Sequence, residues 1–115
     1  MRKLGLKDAF SLARIIKAAG IRKEITDFAE IVRGDAKKQD LEAIGLEFFI
    51  VLIESVSDES TERKIYELYA DIKGVTPEEV SMLGFAEIKA DIAELMEVND
   101  LKSFFSSLSA LMSKQ

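Results

Sequence analysis

No histidine, cysteine or tryptophan occurs in these 115 residues, and there is a single proline. The missing histidine removes the commonest general base and the commonest metal ligand. With cysteine missing as well, Ser–His and Cys–His nucleophile systems, zinc–thiolate sites and disulfides are excluded. Di-iron carboxylate bundles need a Glu-x-x-His pair from each of two helices, so they are excluded too. The six glycines are isolated, which leaves no glycine-rich phosphate loop. Long apolar runs are also absent. The longest near-continuous one, residues 46–53, contains Glu47 and is far too short to span a bilayer. The basic start Met1-Arg2-Lys3 is not followed by the apolar stretch of a signal peptide, because Lys7, Asp8 and Arg14 interrupt it. Together with the missing cysteine, this points to a reducing, cytoplasmic setting.

What remains for chemistry is carboxylates and lysines. Asp58-Glu59, Glu78-Glu79 and Glu94/Glu97 do not match the spacing of a calcium loop and read as solvated helix faces. Paired carboxylates can hydrolyse glycosides, but only across a deep cleft that a small bundle does not spare. The chain therefore reads as a binding protein with no catalytic residue, no cofactor and no metal.

The length fits one domain over residues 1–115, large enough to bury about two-thirds of the surface its unfolded chain exposes. A hydrophobic fraction of 48% beside 32% charged residues excludes disorder. The net charge of −5 is unevenly placed. Residues 1–38 hold ten Lys/Arg and five Asp/Glu, whereas residues 39–115 hold six and sixteen. A basic end and an acidic end on one small protein can attract each other between copies.

Helical periodicity runs through almost the whole chain, and it predicts a compact all-α bundle of six to seven short helices. Leu6, Phe10, Ala13 and Ile16 form a first stripe, widened by Leu12, Ile15 and Ala19. Gly20 breaks it. Ile21, Ile25, Phe28 and Val32 form a second, with Gly34 placed to terminate it. A third segment starts near Gln39-Asp40, with Asp40 as its cap, and carries six consecutive apolar residues, 48–53. A helix apolar on every side is expected in the middle of its domain. Ser57-Asp58 caps a fourth helix bearing Ile65, Leu68, Tyr69 and Ile72, which Gly74 ends. Thr76-Pro77-Glu78-Glu79 is a capping box with proline in the first turn. A short helix follows and stops near Gly84. Phe85, Ile88, Ile92, Leu95 and Met96 make the next stripe. Asn99 or Asp100 caps the last helix.

That last helix carries Leu101, Phe104, Phe105, Leu108, Leu111 and Met112 on one side and Ser103, Ser106, Ser107 and Ser109 elsewhere. From residue 101 onward only Lys102 and Lys114 are charged. A face so weakly charged suits contact with another surface. Met82, Met96 and Met112 add adaptable side chains. Met82, Phe85, Met96, Phe104, Phe105, Leu108, Leu111 and Met112 are therefore the candidate surface for a client helix or for self-association.

A second class of reading is nucleic-acid binding. Ala18-Ala19-Gly20-Ile21 joins two basic segments as a helix-turn-helix does, which would aim Arg22, Lys23 and Arg33 at phosphates. The bulky Ile15 and Ile16 before the turn and the overall acidity argue against it.

The segment Ala9-Phe10-Ser11-Leu12-Ala13-Arg14-Ile15-Ile16-Lys17-Ala18-Ala19-Gly20-Ile21 resembles the opening helix of tail assembly chaperones from long-tailed phages of Gram-positive bacteria. Similar likeness extends to Gly45-Leu46-Glu47-Phe48-Phe49-Ile50-Val51-Leu52-Ile53-Glu54-Ser55 with the following Ser57-Asp58-Glu59. It continues in Thr76-Pro77-Glu78-Glu79-Val80 and Leu101-Lys102-Ser103-Phe104-Phe105. The resemblance implies a helical protein of the host cytoplasm, absent from the mature virion. It implies a protein that holds the tape measure protein soluble until tail tube subunits polymerise around it, and that self-associates. A minor structural protein of the virion is the further alternative.

Overall fold

The structure, a computed structural model, describes residues 1–33 and 38–113. Among the described residues there are seven helices and no strand, as the periodicity predicts. They are α1 (Leu6–Ala19), α2 (Arg22–Arg33), α3 (Lys38–Ser55), α4 (Glu59–Lys73), α5 (Pro77–Ser81), α6 (Phe85–Val98) and α7 (Leu101–Ser113). The Cα radius of gyration is 13.2 Å, the size of one compact domain of this length.

The helix ends follow local chemistry. Gly20 and Gly74 close α1 and α4 in the left-handed region, at φ 74° and 83°, where a side chain would be strained. The Asp58 carboxylate accepts from the Thr61 N–H at 2.9 Å. Thr76 and Glu79 exchange reciprocal hydrogen bonds of 3.2 and 3.3 Å, a complete capping box. Asp100 caps α7 by accepting from the Ser103 N–H at 3.3 Å, whereas Asn99 closes α6. Helix α3 begins at Lys38, so Asp40 falls inside it. The expected stop at Gly34 lies outside the described residues.

The hub is α1 rather than α3. Helix α1 packs against α2, α3, α4 and α7, while α3 packs chiefly against α6, α2 and α1. Small residues explain the difference: Ala9 and Ala13 are buried on α1 and let neighbours approach closely. The core joins Ala13, Ile15 and Ile16 of α1 to Ile21 and Ile25, Phe48 and Leu52, Ile65, and Leu108 and Met112. Phe48 sits at its aromatic centre, edge-on to Phe28 at 5.5 Å and to Phe105 at 5.8 Å.

The first stripe is rotated from its expected position. Leu6 is 67% exposed and Phe10 42%. Asp8 takes the inward position instead, four and seven residues before Leu12 and Ile15. Its carboxylate accepts from the Arg2 guanidinium through two bonds of 2.7 Å and from the Gly5 N–H at 2.7 Å. Arg2 also reaches Asp71 on α4. The segment before α1 is pinned by Arg2 N–H to the Ile72 carbonyl at 3.0 Å and Leu4 N–H to the Asn99 side chain at 2.7 Å.

Candidate protein-binding groove

Six consecutive apolar residues cannot all be buried in a helix with neighbours on only some sides. In α3 Phe48 and Leu52 face the core, and Ile53 emerges, 44% exposed. It borders a groove of about 380 Å³ formed by the end of α3, α4, α5 and the start of α6. Val56, Tyr66, Leu83 and Phe85 line its sides, and Phe49, Ile65, Tyr69 and Ile88 also contribute. Phe85, at the first turn of α6, is 62% exposed, and Met82, between the lining residues Ser81 and Leu83, is 84% exposed.

Short-helix geometry puts these two side chains outside. Helix α5 spans only five residues and is fixed at its start by the Thr76 box and at its buried Val80. The chain then turns at Met82 and restarts at Gly84, so neither Met82 nor Phe85 is carried onto the core face of a long helix. Exposed large apolar side chains clustered around a concavity mark a binding surface.

The groove has one charged lining side chain. Glu62 lines it, and its carboxylate accepts from the Tyr66 hydroxyl at 2.6 Å, which raises the Tyr66 pKa above the usual phenol value. Exposed Glu54, Glu67, Glu79 and Glu87 adjoin lining positions in sequence, and so do Arg63, Lys64 and Lys89. A mostly apolar groove with Glu62 in its wall fits the apolar face of an amphipathic helix.

Beside the groove, Asp91 is 7% exposed and accepts from the Tyr69 hydroxyl at 2.5 Å and the Lys73 ammonium at 2.8 Å. Burial, and then the bond to Asp91, push the Tyr69 pKa well up. Neither Asp8 nor Asp91 belongs to the sequence-derived set. Their signal was a charged residue on an apolar stripe: Asp91 lies three residues after Ile88 and four before Leu95.

The eight residues expected to share a surface are divided. Phe85 lines the groove, whereas Met82, 84% exposed, is adjacent to it in sequence and does not line it. Leu108 and Met112 are 0% and 1% exposed and belong to the core, because α7 spends its apolar stripe covering α1 and α2. Phe104, Phe105, Met96 and Leu111 are half-buried. Phe104 and Phe105 stack edge-on at 6.0 Å on the inner side of α7. The sequence reading missed Ile53, Val56, Tyr66 and Leu83.

The exposed side of α2 carries Lys23 among Glu24, Asp27 and Glu30, a poor surface for phosphates. The side chain of Arg33 lies outside the described residues. Among the described residues no group of acidic side chains is placed to hold a metal ion, and no helix is long and apolar enough to cross a membrane. Comparison with protein-family models, curated proteins and solved structures finds no match to this chain.

Proposed function

We propose that this protein is a tail assembly chaperone that binds the tape measure protein of a long-tailed phage in the host cytoplasm and keeps it soluble during tail assembly. The observation that carries the reading is the groove bordered by exposed Ile53 and Phe85, with Glu62 in its wall. A long helical client exposes apolar stripes before the tail tube closes around it, and such stripes aggregate. A groove of this size covers one or two turns of a helix, so a single copy binds weakly. Many copies along one client mask it by multivalency and remain displaceable by tail tube subunits.

The same reading includes a homo-oligomer. The outer face of α1 presents Leu6 and Phe10 with exposed Arg14 and Lys17, and with Lys7 paired to Asp71 at 3.6 Å, an apolar surface with basic residues that suits a groove edged by Glu62. A neighbour's α1 occupies the groove until a client helix displaces it. This keeps the apolar side chains covered when no client is present.

Co-expression tests the proposal. A tape measure fragment that is insoluble alone is expected to become soluble with this protein and to lose that solubility with Phe85→Glu. A fragment that stays insoluble in its presence refutes the client assignment. Recovery of the protein from purified particles would instead make it a structural subunit.

A further inference from the structure

A second concavity, half open to solvent, lies between α1, α3, α4, α6 and α7, with a volume of about 160 Å³. Its wall includes Leu12, Leu68, Ile72, Ile92, Leu95 and Phe104. Phe49, Ile65 and Tyr69 border both this cavity and the groove, so they form the partition between them.

Two carboxylates reach the wall, and both are already engaged. Asp8 is held by Arg2 and the Gly5 N–H, and Asp91 by Tyr69 and Lys73. Among the described residues, no side-chain polar atom of the wall is buried without a partner. A water molecule needs two to four polar partners, and this wall supplies no free set of them. An apolar concavity of this volume has room for a molecule the size of benzene.

The frame also resists collapse. A Cβ built on Gly45 of α3 would lie 3.1 Å from Ile92 Cγ2 of α6, so the Ile92 side chain packs closely over the glycine. The Tyr69–Asp91–Lys73 contacts fix α6 against α4.

We propose that this cavity is a binding site for a compact apolar molecule the size of one aromatic ring, held by dispersion and by release from water. An anion of the same shape is rejected, because it would lose its hydration beside two carboxylates.

Benzene and benzoate are the probes, used on the intact protein. Benzene is expected to raise the melting temperature by a few degrees in a concentration-dependent way. It is also expected to shift the methyl NMR signals of Leu12, Leu68, Ile72, Ile92 and Leu95, while benzoate does neither. Filling the space with Leu68→Phe or Leu95→Phe should abolish the benzene response. If both filled variants misfold, the comparison of benzene with benzoate on the unaltered chain still decides. Unchanged melting and methyl signals at benzene saturation, or an equal response to benzoate, overturn the proposal.

Discussion

The Tyr69 hydroxyl donates to the Asp91 carboxylate at 2.5 Å, and this bond ties α4 to α6 along the wall shared by the groove and the inner cavity. Lys73 neutralises the same oxygen at 2.8 Å. The wall that presents Phe85 is therefore anchored by one buried polar cluster rather than by apolar contact alone.

Tyr69→Phe should cost about 1 kcal/mol near neutral pH, the net worth of one hydrogen bond to a charged acceptor after Lys73 keeps Asp91 paired. The alkaline behaviour is more specific. Burial raises the Tyr69 pKa in the folded state, so its stabilising contribution is complete below the unfolded phenol value, near 10. It is lost as pH rises above that, because the unfolded chain releases a proton that the folded chain retains. Denaturant unfolding from pH 7 to 11 should show the unaltered protein weakening more steeply above about pH 10 than Tyr69→Phe. Tyr66 is present in both, so the difference isolates Tyr69. Parallel curves would refute the coupling.

Asp8 behaves with the opposite sign. The Arg2 guanidinium, followed by the Gly5 N–H against the cost of burial, holds its carboxyl below the usual carboxylate range. Its contribution is present above the unfolded value near 4 and is lost as pH falls through the lower folded value. Asp8→Asn removes the charge from a site only 2% exposed. Arg2 stays partly hydrated, so the loss should be about 2 kcal/mol, less than for a fully buried pair. Acid titration of stability should then be shallower in Asp8→Asn than in the unaltered protein. Exposed Asp58 and Asp100, lowered by Thr61 and Ser103, contribute to the same acid limb in both proteins, whereas Asp71 shares Arg2 with Asp8 and is not constant between them.

Much of the bundle was legible in the sequence because its ends are local. Gly20, Gly74, Asp58 and the Thr76 box work within one turn, and each acts where the spacing predicts. What an apolar stripe faces is not local. Phe10 and Leu108 look alike in periodicity, but one emerges and the other is sealed. The difference depends on Asp8 claiming the inner side of α1 and on α7 being used up by α1 and α2. Leu108 and Met112 of the candidate surface are buried for that reason. The groove itself draws on four separate segments, 49–56, 62–69, 80–83 and 85–88, and no single stripe announces it.

Gly45 offers a test of how firmly the inner cavity is framed. Alanine in a helix interior is favoured over glycine by about 1 kcal/mol. Against that, the new methyl would meet Ile92 Cγ2 at 3.1 Å. Ile92 borders open space, so it can yield by a few tenths of an ångström. Gly45→Ala should therefore raise stability by about 0.5 kcal/mol. Gly45→Val, whose branches cannot be accommodated by so small a shift, should destabilise by about 2 kcal/mol through overpacking. A destabilised Gly45→Ala in urea unfolding would mean that α6 is held too rigidly to move.

Self-association through unlike faces has a signature that self-association through like faces cannot copy. On α1, Leu6, Lys7, Phe10, Arg14 and Lys17 fall within an arc of about 100° at helical spacing. All five are exposed. Docked in a neighbour's groove beside Ile53 and Phe85, this face leaves the neighbour's own α1 free for the next copy, an open head-to-tail chain. Phe10→Glu spoils one face and Phe85→Glu the other, and each variant alone should run as a monomer in light scattering. Both substitutions lie at exposed positions, so circular dichroism should be unchanged. Mixed together, the Phe10→Glu protein still offers a groove and the Phe85→Glu protein still offers an α1 face. The mixture should form one-to-one dimers that grow no further and that weaken as salt screens the lysines from the glutamates. Dimers in either variant alone, or no dimer on mixing, would exclude the head-to-tail arrangement.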